Sequence, residues 1–226
     1  MNPIVVTLSV LIMVPVMLIR RKLLDTSLLK TAIIFIELAI VGYFSTALMS
    51  FIETGKWGGI RFFGAVLFLP ILFAPIAFVT RIPLSKMLDT IAFPGMMIFA
   101  VMKFNCYLSG CCGGRVLWTE ANGAPVCFPS QIVEGITTAL LVVALMILER
   151  KKNMSGRIFP TAMLTYGILR FGLHLLREPE GPYILGMQAG IFWSILSIVI
   201  GATWLLVLYY KKVDKQYQEF ISQQQK

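Results

Sequence analysis

The chain has 226 residues, of which 58% are hydrophobic and 14% charged, and its mean hydropathy is +0.81. A soluble domain is about 45–50% apolar and about 25% charged, and a disordered chain has still less apolar surface to bury. The composition excludes both and leaves a polytopic membrane protein. The net charge of +9 does not indicate a nucleic-acid partner, because the basic residues fall between apolar runs rather than in one patch. That pattern suits a protein embedded in a bilayer of anionic lipid.

Seven apolar stretches can be read, at 3–19, 28–51, 62–80, 87–104, 132–148, 159–176 and 187–210. At about 20 residues per crossing they predict an all-α fold of about seven transmembrane helices with short loops. The first resembles a signal-peptide core but lacks a basic leader and a small-residue cleavage site, so it is read as a span. Pro94 and Gly95 interrupt the fourth, which predicts a broken helix held by protein or a wet cavity. The fifth follows Pro129 and Ser130, a helix start with Ser130 as expected N-cap.

Orientation follows from lysine and arginine. With the N-terminus outside, one face collects Arg20, Arg21, Lys22, Lys30, Arg81, Lys86, Arg150, Lys151, Lys152, Arg157, Lys211, Lys212, Lys215 and Lys226, which is 14 of the 20 basic residues. The positive-inside rule gives N-out and C-in. Residues 1–212 then form one transmembrane helical domain, the longest loop (105–130) lies outside, and 213–226 is a polar cytoplasmic tail. No internal repeat is evident.

An ionisable group inside a span costs about 2.5–3.5 kcal/mol even on lenient scales, which makes Glu37, Lys103, Glu134, Arg170, His174 and Arg177 the informative residues. Arg170, His174 and Arg177 stand at i, i+4 and i+7, on one helical stripe with Tyr166 at i−4. Two guanidinium groups and an imidazole near the outer boundary make an anion site, suited to bidentate phosphate binding. The bland alternative has Arg177 snorkelling and Arg170 paired with a buried acid. Gln131 and Glu134 share a face and would either contact substrate or orient Arg170. Glu37 is open between a functional role and a structural hydrogen bond. Gly58 and Gly59 allow close backbone approach, to a ligand or to another helix.

Cys106, Cys111, Cys112 and Cys127 lie in or beside the outer loop. An extracytoplasmic site permits a disulfide, and Cys127 with Cys111 or Cys112 would close the loop. The spacing matches no usual zinc pattern. A reactive thiol beside Lys103 or Arg115 is the remaining reading.

Four segments together carry a family resemblance. Lys103-Phe104-Asn105-Cys106-Tyr107-Leu108-Ser109-Gly110-Cys111-Cys112-Gly113-Gly114-Arg115 resembles the signature loop of the bacterial prolipoprotein diacylglyceryl transferases. Phe128-Pro129-Ser130-Gln131-Ile132-Val133-Glu134 is similar to their proline-serine-glutamine-leucine-x-glutamate segment. Tyr166-Gly167-Ile168-Leu169-Arg170-Phe171, continuing to Arg177-Glu178-Pro179, is similar to their tyrosine-glycine-x-x-arginine-phenylalanine helix and the turn after it. Gly58-Gly59-Ile60-Arg61-Phe62-Phe63-Gly64 is similar to their glycine-glycine-x-x-phenylalanine-histidine-glycine element. The four occur in family order from residue 58 to about 181, and seven spans with an outward N-terminus fit the family too. Lys103 stands at an essential family arginine, Cys106 and Cys111 replace an asparagine and a glutamate, Phe63 stands at the family histidine, and His174 takes a glutamate position.

The resemblance implies transfer of a diacylglyceryl group from phosphatidylglycerol to the lipobox cysteine thiol of a preprolipoprotein signal peptide, at the outer leaflet of a bacterial plasma membrane and without a cofactor or metal. It implies catalytic roles for Arg170, His174 and Glu134, with His174 replacing the missing histidine as base. Lys103, Arg115, Gly114, Gln131, Tyr166, Arg177, Gly58 and Gly59 would bind substrate. The replacements leave open a paralogue that binds anionic phospholipid without this chemistry; a transporter fits less well, for want of inverted repeats. The basic asymmetry makes a direct prediction about topology. Impermeant thiol reagent applied from outside should label a cysteine engineered near Glu120 and miss one near Lys151.

Overall fold

The computed structural model describes the backbone of residues 26–110, 113–151, 154–177 and 181–224, side chains as far as 212, and positions 11, 14–16, 18–21 and 24 of the N-terminal segment. The expected first span, 3–19, therefore lies largely outside the described residues. Those of its positions that are described are helical.

The molecule is mostly helical, and local chemistry sets the helix ends. The helix α1 (Leu28–Thr54) starts at Ser27, whose side chain accepts from the Lys30 N–H at 3.3 Å, and stops at Gly55. Gly55 has φ of 70°, and its N–H reaches the Phe51 carbonyl at 2.8 Å. This left-handed stop favours glycine. The next helix, α2 (Phe62–Thr80), ends at Arg81 in the same left-handed region, and Pro83 starts α3 (Leu84–Leu108). Then follow α4 (Ser130–Glu149), α5 (Ile158–His174) and α6 (Ala189–Gln224).

Three expectations are corrected here. First, α3 runs unbroken through Pro94 and Gly95. Its most apolar stretch is 67% buried, the largest share among the five candidate spans, and that packing holds it through the missing hydrogen bond. Second, Ser130 is the first residue of α4 rather than its cap; Pro129 holds the cap position with no side-chain bond. Third, the fold is not purely helical. The loop after α3 forms an antiparallel hairpin of β1 (Val116–Thr119) and β2 (Pro125–Cys127), and a second hairpin, β3 (Tyr183–Ile184) and β4 (Met187–Gln188), leads into α6. Leu185 and Gly186 between its strands both have positive φ (50° and 77°), as tight two-residue hairpin turns require.

Among the described residues five helices are long and apolar enough to cross a membrane: α1, α2, α3, α4 and the Ala189–Lys212 part of α6. The sixth, α5, has 17 residues and packs against α6, α4 and α3. With 36 residues, α6 extends about 54 Å at 1.5 Å per residue, well beyond a hydrocarbon core of about 30 Å. The polar tail thus continues the last helix.

Successive helices run up and down the bundle, so the C-terminal ends of α1, α3 and α5 meet the N-terminal ends of α2, α4 and α6. At the opposite end a compact polar knot joins the elements. Arg20 binds Glu149 at 2.6 Å and the Asp89 carbonyl at 3.2 Å. The Asp89 carboxylate accepts from the Gly156 and Phe159 N–H groups at 2.5 and 2.9 Å. The start of α5 is thereby fastened to α3. Replacing Asp89 with Ala leaves two buried N–H groups without an acceptor, at about 1–3 kcal/mol each. Thermal unfolding in detergent should show the loss as a lowered midpoint, with helix content unchanged below the transition.

Candidate active site

Glu134, in the second turn of α4, is 1% exposed, and an isolated carboxylate could not stay ionised there. Three cations compensate it. Its Oε2 lies 2.7 Å from Arg170 Nη1, 2.8 Å from Lys103 Nζ and 3.6 Å from Arg177 Nη1. Its Oε1 accepts from the Tyr166 hydroxyl at 3.3 Å. Lys103 arrives from the last turns of α3, and Arg170 and Tyr166 from α5.

Arg177 does not share their helix. The stripe expected from i, i+4, i+7 spacing stops at His174, where α5 ends. Arg177 is instead held by an isolated β-bridge to Gly114, with the Arg115 N–H on the Leu176 carbonyl at 3.1 Å and the Arg115 side chain on the Arg177 carbonyl at 3.0 Å. Gly114 and Arg115 therefore act through the backbone of Arg177 and do not line the cavity. A Cβ on Gly114 would run into the Phe128 carbonyl, so this junction needs glycine.

The cluster opens into a cavity of about 200 Å³ whose wall carries Arg61, Lys103, Arg170 and Arg177 against Glu53 and Glu134. Four basic groups against two carboxylates leave two positive charges in excess. Beneath it lies an aromatic floor: Phe62 stacks on Phe99 at 3.9 Å between centroids and meets Tyr166 edge-on at 4.9 Å, and Lys103 Nζ sits 4.9 Å from the Phe99 ring centre. Phe63, at the family histidine position, lines the same cavity and packs on Tyr166 at 5.6 Å.

His174 also lines the cavity. Its Nε2 is hydrogen-bonded to the Gln188 side-chain oxygen, and its buried Nδ1 has no partner among the described residues. Gln131 is buried beside Glu134 but is not part of the cavity wall. Gly58 and Gly59 are not in the wall either. Gly58 is exposed with φ of 104°, a turn conformation that favours glycine, and Gly59 packs against the Ser50 side chain of α1. Cys106 lines the cavity, whereas Cys127 is an exposed free thiol. The expected disulfide partners of Cys127, Cys111 and Cys112, lie outside the described residues, and β1–β2 pairing closes that loop. Among the described residues no cluster of three metal-ligating side chains occurs. Glu37 has a buried Oε2 with no partner among the described residues, and lies apart from the cavity.

Sequence reasoning missed Glu53, which is 2.9 Å from Arg61 and has only 6% of its side chain exposed. The reading ended that span at residue 51 and left Glu53 among the loop charges. It also missed Gln188 and Gly190, which no local pattern marks.

A multi-pass helical protein with a buried, cation-rich centre at one end of its bundle is the class these features define. Residues 6–207 match the family model described as prolipoprotein diacylglyceryl transferase, and the chain belongs to that family. It is similar to the phosphatidylglycerol–prolipoprotein diacylglyceryl transferase of Clostridium tetani (strain Massachusetts / E88), with 31% identity over 127 residues and 51% of each chain covered. The protein of the same name from Idiomarina loihiensis is 33% identical over 85 residues, covering 35% of this chain and 32% of that one. The chain thus matches about half the length of the first relative and a third of the second.

The geometry makes Glu134 the counter-ion that orients three cations. Its Oε2 is shared by all three, so it is a poor proton acceptor. Removing it should be costly, since breaking a buried pair from one side costs about 3–5 kcal/mol. Glu134→Ala is expected to lower the unfolding midpoint sharply, and Glu134→Ala combined with Lys103→Met to regain part of the loss.

Proposed function

We propose that this protein moves a diacylglyceryl group from phosphatidylglycerol to the lipobox cysteine thiol of a preprolipoprotein signal peptide. The single observation that carries the reading is the Glu134-centred cluster, whose excess positive charge faces a cavity large enough for a phosphate headgroup. Family membership supports the substrate class, as do the printed names of the two relatives. The proposed setting is a bacterial plasma membrane, crossed about seven times by a single domain spanning 1–212, with the N-terminus out, the 213–226 tail inside and the cavity at the outer leaflet. The concentration of basic loops at the opposite end of the bundle supports that orientation.

The chemistry assigns each group a task. The thiol proton passes to Nδ1 of His174, and the thiolate attacks the glyceryl carbon that carries the phosphate ester. A carbon–sulfur bond forms as the carbon–oxygen bond breaks, and the electron pair leaves on glycerol phosphate. A second negative charge develops on that phosphate, where Lys103, Arg170 and Arg177 can stabilise it without reorganisation. The step needs no metal or organic cofactor. Phe63 cannot accept a proton, and Glu134 is occupied, so His174 is the available base.

Incubation of the purified protein with phosphatidylglycerol and a lipobox peptide should give a thioether adduct by mass spectrometry. Lipid binding without turnover would instead indicate a lipid-handling paralogue. Arg170→Ala should lose about 2–4 kcal/mol of transition-state stabilisation, as removal of an oxyanion donor does. Arg170→Lys should recover little, because a point charge does not reproduce a planar fork. Near-normal turnover in Arg170→Ala would remove the proposed role.

A further inference from the structure

Three features converge on His174 from outside its own helix. The Gln188 side-chain oxygen meets Nε2. The ring is 7% exposed, and its buried Nδ1 lacks a partner among the described residues. Gly190 leaves the ring its space: a Cβ there would lie 2.7 Å from Cε1 and 2.8 Å from Nδ1. Gln188 and Gly190 both belong to the junction between the β3–β4 hairpin and α6. The Ala189 N–H on the Pro182 carbonyl at 2.9 Å and the left-handed pair Leu185 and Gly186 fix that junction.

A neutral imidazole carries one proton, on one nitrogen or the other. With the proton on Nε2 the Gln188 carbonyl accepts it, and Nδ1 keeps a lone pair. With the proton on Nδ1 a buried N–H would have no acceptor among the described residues, which costs about 1–3 kcal/mol, and the Gln188 amide would have to turn its NH2 toward Nε2. The first arrangement prevails.

We infer that Gln188 is a positioning residue for His174, holding the imidazole in the Nε2–H tautomer so that Nδ1, packed against Gly190 beside the cavity, keeps its lone pair as the proton acceptor. The inference rests on the reading of His174 as the base in transfer. Gln188 touches no substrate. It sets which nitrogen can act, as a partner carboxylate does for the histidine of a serine protease.

His174 is the only histidine in the chain, so the full-length protein labelled with ¹⁵N-histidine in detergent micelles gives one pair of ring-nitrogen resonances. The expected wild-type spectrum has a proton-bearing Nε2 and a bare Nδ1. Gln188→Leu should shift the ring toward a mixture of tautomers and lower kcat roughly 10–100-fold, by analogy with partners that orient metal-bound imidazoles, with KM for phosphatidylglycerol unchanged. Gln188→Glu, which still accepts from Nε2, should keep the wild-type tautomer and most of the turnover. Gly190→Ala should displace the ring and lower kcat without altering headgroup affinity.

A wild-type ring protonated on Nδ1 would overturn the inference on the unmutated protein, whatever the variants do. So would a Gln188→Leu protein with unchanged tautomer and unchanged kcat. A locked Nε2–H tautomer in a protein that transfers nothing would leave the positioning intact and overturn only the transferase reading.

Discussion

One carboxylate shared among three cations organises the functional end of this molecule. Glu134 fixes Lys103 from α3, Arg170 from α5 and Arg177 from the turn after it, within 2.7–3.6 Å. In an apolar bundle none of these four charges could be buried alone. Together they bring three elements into register, and the surplus positive charge is what gives the cavity its chemistry. The cluster is therefore structural, and on the proposed function it is also the anion site. A substitution there is expected to disturb folding and anion binding together, and only variants that keep the count of charges can separate the two.

The two ends of the bundle divide the work. At the far end Arg20 pairs with Glu149 and the Asp89 backbone carbonyl, and the Asp89 carboxylate takes two backbone N–H groups, which leaves only Arg20 Nε without a partner among the described residues. At the near end the charges are unbalanced, with four cations against two carboxylates, and an imidazole nitrogen has no partner among the described residues. Satisfied polar networks stiffen a fold, whereas partly satisfied ones cost stability.

Much of this was legible in the sequence, because charges inside apolar runs are rare. Lys103, Glu134, Arg170 and His174 were singled out by that alone, and all four meet in the cavity wall. The boundary at 62–80 was read to the residue. What escaped notice depended on tertiary contact. Pro94 does break local helix chemistry, but enclosure of α3 overrides it. Arg177 fits a helical stripe by spacing, yet α5 stops first, and a backbone bridge to Gly114 brings it back. Gln188 and Glu53 lie in ordinary polar surroundings along the chain, and only folding places them against His174 and Arg61. Gly58 and Gly59 carry the same signal whether they admit a ligand, a turn or a neighbouring helix, and in the structure Gly58 makes a turn and Gly59 packs on α1.

The aromatic floor of the cavity has an electrical consequence. Phe62 and Tyr166 line both the polar cavity and a small apolar crevice of about 40 Å³ beneath it, so the cavity is a blind pit with a low-dielectric plug under it. In a polarised membrane the potential falls mainly across such a plug rather than across a wet pit. A charge carried through the full field responds by about 2.3 kcal/mol per 100 mV, but an anion entering or leaving this pit crosses little of it. On the proposed function, exchange of a charged headgroup in this pit is therefore expected to depend little on the voltage across the membrane.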